Sequence, residues 1–70
     1  MKKQVIYRVT ESDGMMGVHG DYATLEEGLE NYRRTINFAL TASLVKIEIT
    51  KKFFKTTYQE TCIDSYRRID

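Results

Sequence analysis

The chain has no proline and no tryptophan, a single histidine (His19) and a single cysteine (Cys62). One cysteine excludes an intramolecular disulfide and suits a reducing cytosol, so a cytoplasmic location is expected. A zinc site needs more cysteine or histidine than the chain owns, so neither a metal nor a cofactor is expected. Long hydrophobic runs are missing too. The opening MKKQVIYRV has the charged onset of a signal peptide, but Arg8 interrupts its apolar run well short of an h-region. No stretch approaches transmembrane length, and no membrane role is expected. A strong net charge is also absent. The balance of +1 argues against a general nucleic-acid coat protein.

What is present is an ordinary globular mixture, 30% charged and 41% hydrophobic in 70 residues. That supports one domain over residues 1–70 and no more. A chain this short buries only about 60% of its unfolded surface, so every large apolar residue counts. The charges are segregated. Glu11, Asp13, Asp21, Glu26, Glu27 and Glu30 fall between residues 11 and 30 with no lysine or arginine among them. Between residues 33 and 55, Arg33, Arg34, Lys46, Lys51, Lys52 and Lys55 face Glu48 as the lone acid. Such asymmetry marks either a directional binding surface or helix electrostatics.

Residues 4–11 alternate Val5, Tyr7 and Val9 with Ile6, Arg8 and Thr10, the period of a half-buried strand. Asp13-Gly14 is a strong hairpin signal, and the return strand is expected over 15–22. Thr24-Leu25-Glu26-Glu27 fits a capping box. The stripe Leu25, Leu29, Tyr32, Ile36 and Leu40 predicts an amphipathic helix that fades near 41–43. Gly28 inside it costs about 1 kcal/mol and suggests close approach to a sheet. Residues 44–50 alternate Val45, Ile47 and Ile49 with Lys46, Glu48 and Thr50, a second half-buried strand. The stretch beyond is ambiguous. Its threonines and aromatics suit a strand at about 53–63 with a loose tail. Thr57-x-x-Glu60 and the spacing of Tyr58, Cys62, Tyr66 and Ile69 also fit a helix. With the strand preferred, the fold class is α+β: a ββαββ order with one helix on one face of a small antiparallel or mixed sheet. The expected core is Val5, Tyr7, Val9, Met16, Val18, Leu25, Leu29, Tyr32, Ile36, Leu40, Val45, Ile47 and Ile49.

Gly14-x-x-Gly17-x-x-Gly20 has neither the spacing nor the lysine of a phosphate-binding loop, and acids crowd it. His19 and Asp21 stand on one strand face, but nothing ties them to a nucleophile or an oxyanion donor. No catalytic residue is assigned. Two binding surfaces are. One is the first hairpin, with Met15, Met16, His19 and Asp21; methionine adapts to varied partners. The other is Lys51, Lys52, Phe54 and Lys55, with Tyr58 nearby, where lysines would take phosphates and a phenylalanine would stack on a base. Phe53 and Phe54 cannot both face inward on one strand. Self-association as a homodimer, or docking on a larger protein, would bury Ile6, Met15 and Phe54 on the open face.

The order of elements and the helix entry Tyr22-Ala23-Thr24-Leu25-Glu26-Glu27-Gly28-Leu29 resemble small phage-encoded proteins that block host machinery. The RNA-polymerase inhibitor of T7-like phages and compact anti-CRISPR proteins are of this kind. The resemblance covers roughly residues 5–50 as pattern. The chain departs from it with glycine at 28, where alanine is usual, and with a longer threonine-rich C-terminal segment. It implies a non-enzymatic module that occludes a host defence or nucleic-acid-handling complex in the host cytosol. The alternative is a small nucleic-acid-binding protein using residues 51–55.

Overall fold

The first alternating segment forms a strand longer than its apolar period: β1 runs Lys2–Ser12. In the computed structural model, residues 2–12 and 17–68 are described, with the backbone alone for 17–19. The Asp13-Gly14 turn, Met15 and Met16 therefore lie outside the described residues, as do the side chains of Val18 and His19. β2, Gly17–Tyr22, pairs antiparallel with the second half of β1, from Ser12↔Gly17 to Tyr7↔Tyr22.

Helix α1, Leu25–Thr35, opens on the expected cap. The Thr24 hydroxyl oxygen accepts the Glu27 N–H at 3.2 Å and donates to Glu27 Oε1 at 3.0 Å. Glu26 and Glu27 in the first turn and Arg33 and Arg34 in the last complement the helix dipole, and Arg34 meets Glu30 at 2.9 Å. The helix ends at Thr35, with Ile36 as its C-cap, so Leu40 is not on it. The amides of Asn37 and Phe38 turn to the carbonyls of Arg34 and Thr35, both at 3.2 Å, the tighter bonding of a closing turn. The Leu40 amide then donates to the Ser12 carbonyl at 3.0 Å, which commits the chain to the sheet.

β3 spans Thr41–Lys52 and β4 spans Lys55–Arg67. The sheet order is β2-β1-β3-β4, and every neighbouring pair is antiparallel, so the ββαββ expectation holds. The threonine-rich stretch is a strand, not a helix, and it continues to Arg67 where a loose tail was expected after 63. A bulge skips Ile63 between Leu44↔Asp64 and Val45↔Cys62.

The helix lies on β1, β2 and β3, and its Tyr32 phenol reaches Asp64 of β4. Its Tyr32 joins Val9, Ala39, Ala42 and Leu44 in the core, with Tyr7, Tyr22, Leu29, Ile36 and Tyr66 packed around them. Ile47 is buried, as the sequence predicts, but it stands on the opposite face of the sheet, where Val45 and Ile49 are only half-buried. The pairs Val9↔Leu44 and Tyr7↔Lys46 put the even-numbered residues of β3 under the helix, because cross-strand partners share a face. Alternation identifies a strand but not which of its faces meets the helix. Ala42 and Leu44 decide it: a Cβ placed on Gly28 would stand 3.1 Å from Tyr7 Cβ and 3.2 Å from Leu44 Cδ1.

The covered part of the sheet is short. β2 stops opposite Tyr7, while β1, β3 and β4 continue past it as a three-stranded ribbon. The radius of gyration is 13.6 Å and the extents are 48 × 24 × 15 Å. A compact 70-residue domain would have a radius near 11 Å, so the ribbon projects. Among the described residues, no helix is long and apolar enough to cross a membrane.

Candidate binding surface

The ribbon ends in a two-residue turn. Lys52↔Lys55 is the last pair of the β3–β4 ladder, so Phe53 and Phe54 are the turn itself. This resolves the problem of consecutive phenylalanines: neither sits on a strand. Phe53 is 98% exposed and Phe54 106% exposed. Phe53 also takes a positive φ of 52°, a conformation that suits glycine or asparagine and costs an L-phenylalanine roughly 1–2 kcal/mol.

The β1–β3 register brings in residues that sequence reading passed over. Lys2 stands opposite Lys51, and Lys3 opposite Thr50. Alternation places Lys2 and Lys51 on the face away from the helix and Lys3, Lys52 and Lys55 on the helix side, so lysines collar the tip. Lys3 Nζ contacts Glu48 Oε2 at 3.2 Å, and Lys46 Nζ contacts Glu48 Oε1 at 3.4 Å. Hydrogen bonds from Lys3 and then Lys46 hold the Glu48 carboxyl below its ordinary pKa. Among the described residues, Lys2, Lys51, Lys52 and Lys55 have no ion-pair partner. Lys2↔Lys51 and Lys52↔Lys55 are like charges directly opposite each other, which destabilises a sheet. Tyr58, opposite Ile49 and 67% exposed, adds a third aromatic ring on the open face.

Of the other predicted surface, Met15 and Met16 lie outside the described residues, and His19 and Asp21 stand on β2. β2 pairs with β1 only from Tyr7 to Ser12, whereas Lys51 lies opposite Lys2 at the other end of β1. His19 and Asp21 are therefore not brought together with residues 51–55. His19 pairs through its backbone with Thr10. Asp21 is engaged within the fold: Arg8 Nε donates to its Oδ1 at 2.7 Å and Arg8 Nη2 to its Oδ2 at 3.1 Å. Among the described residues, no group of three or more His, Cys, Asp or Glu side chains is placed to hold a metal.

Sequence reading found the stretch 51–55, choosing Phe54 of its two phenylalanines, but missed that both are exposed at a turn and missed Lys2 and Lys3. The turn has no glycine or asparagine to announce it, and the two N-terminal lysines join only through strand register. Compared with known protein families, curated proteins and solved structures, the chain matches none.

Proposed function

We propose that this chain is a non-enzymatic protein-binding module that docks through the tip of its β3–β4 hairpin. The observation that carries the reading is that folding gains nothing from the residues placed there. Two phenylalanines touch solvent, one of them on a costly backbone conformation, and two lysine pairs repel across the ladder. Departures from local preference concentrated at one place point to function rather than folding. Phe53 and Phe54 would enter an apolar cleft of the partner, and Lys2, Lys51, Lys52 and Lys55 would meet an acidic rim around it. Such a module works by stoichiometric occlusion. The resemblance to phage-encoded inhibitors suggests a host defence or nucleic-acid-handling complex as the partner. The test is capture from nuclease-treated bacterial lysate by the wild type and by Phe53→Ser/Phe54→Ser. One protein complex retained stoichiometrically by the wild type and lost by the variant supports the reading. Equal retention by both overturns it.

A specific observation favours a second reading. Five lysines and three exposed aromatic rings at one end also suit a single-stranded nucleic acid, with bases stacked on Phe54 and Tyr58. Salt separates the two. Phosphate-driven binding weakens steeply and linearly in log salt, and each phosphate-contacting lysine removed lowers the slope by about 1.

A further inference from the structure

A second surface at the same end does not depend on the phenylalanines. β2 covers β1 only from Tyr7 to Ser12, whereas β3 pairs with β1 all the way to Lys2. Among the described residues, no strand pairs with the outer side of Lys2–Ile6. The sheet therefore has a notch five residues long, roughly 16 Å at strand rise. Successive residues of a strand direct their N–H and C=O groups to opposite neighbours, so about half of the backbone polar groups in this stretch point into the notch.

We propose that the notch accepts an acidic peptide in extended conformation as an added antiparallel strand, in line with β2. The charge around it selects the partner. Lys2 and Lys3 lie on the edge itself and Lys51 stands across from Lys2. The nearby acid, Glu48, is already shared by Lys3 and Lys46. A groove of about 350 Å³ lined by Lys2, Lys3, Gln4, Ile49 and Lys51 lies over the paired β1 and β3, on the inner side of this edge. Half-buried Val5 and Ile6 offer one apolar contact on each face, the alternate readout of strand addition. Edge lysines repel a second copy of themselves, and the same charges attract an anionic strand. The rival edge, β4, is longer but carries Glu60, Asp64 and the Ile63 bulge, all of which work against an acidic partner in regular register.

The test uses the full chain and a capped peptide, Glu-Val-Glu-Val-Glu-Val-Glu, with its lysine–valine counterpart. Two further acidic peptides are N-methylated on alternate amides, in the two possible phases. The expected result is that the acidic peptide binds and slows amide exchange within Lys2–Ile6 by about tenfold or more at saturation. The lysine peptide does not bind, and one methylated phase binds while the other fails. Lys2→Glu/Lys51→Glu weakens binding roughly tenfold at low salt. Phe53→Ser/Phe54→Ser leaves it unchanged, which separates this site from the hairpin tip. Protection along β4 instead, no protection at Lys2–Ile6, or equal binding of both methylated phases overturns the proposal.

Discussion

Gly28 and Phe53 break local preference for opposite reasons. At Gly28 the helix sacrifices propensity to come within contact of Tyr7 and Leu44. Gly28→Ala gains about 1 kcal/mol of helix propensity but drives a methyl against Leu44, which is fully buried, and against a Cβ fixed to strand backbone. Overpacking of this kind costs roughly 1–3 kcal/mol, so the net expectation is a loss of about 1 kcal/mol in urea denaturation. Phe53 has no such packing reason. Phe53→Gly removes the strain of positive φ and should raise stability by up to about 1 kcal/mol while reducing capture of the partner. Stability and binding moving in opposite directions is the signature to look for; a loss of both would refute the strain argument. Tyr32 supplies a pH dependence. Burial first, then the charge of Asp64 and a hydrogen bond to it, raise the pKa of its phenol. The unfolded chain then loses this proton before the folded one does. Its contribution is complete below about pH 10, the unfolded value, and fades as pH rises through the raised folded value. Comparing the urea midpoints of the wild type and Tyr32→Phe from about pH 8 to about pH 11 should show the gap between them closing.

The β3–β4 hairpin is the element whose composition works hardest against its own pairing. Lys55→Glu converts the Lys52↔Lys55 repulsion into attraction and should stabilise the hairpin by about 0.2–1 kcal/mol, read as a higher melting midpoint, while weakening attachment to an acidic partner. This element also marks how far sequence reasoning reached. Strong local signals were legible: the Thr24 cap with Glu27, the Glu30–Arg34 pair, and the alternation that made strands of β1 and β3. Signals that depend on a partner element were not. Leu40 continues the helical stripe in sequence, yet its amide is claimed by Ser12. Val45, Ile47 and Ile49 are as apolar as any core strand, and Ile47 is buried, but the close approach at Gly28 turns Ala42 and Leu44, not these three, to the helix. Of the candidate site, the contiguous residues 51–55 were visible, and the lysines contributed by β1 were not, because register is a property of two strands.

At the scale of the molecule, packing and contact are separated along one axis. Val9, Ala42 and Leu44 hold one end of the sheet under the helix, and the lysine-collared tip occupies the other. Amide exchange should be slowest at Val9, Leu44 and Tyr32 and faster by orders of magnitude around 51–57, because opening free energies scale with buried contacts. Uniform protection along β3 would contradict the separation. Added salt should raise the melting midpoint modestly by screening the facing lysines. The separation also bears on how such a chain can change over generations. Phe53 and Phe54 are almost fully exposed, so, the backbone strain at Phe53 apart, an altered side chain there is felt chiefly by whatever meets it. The tip is free to try new partners one residue at a time, while Gly28, Tyr7 and Leu44 hold the scaffold still.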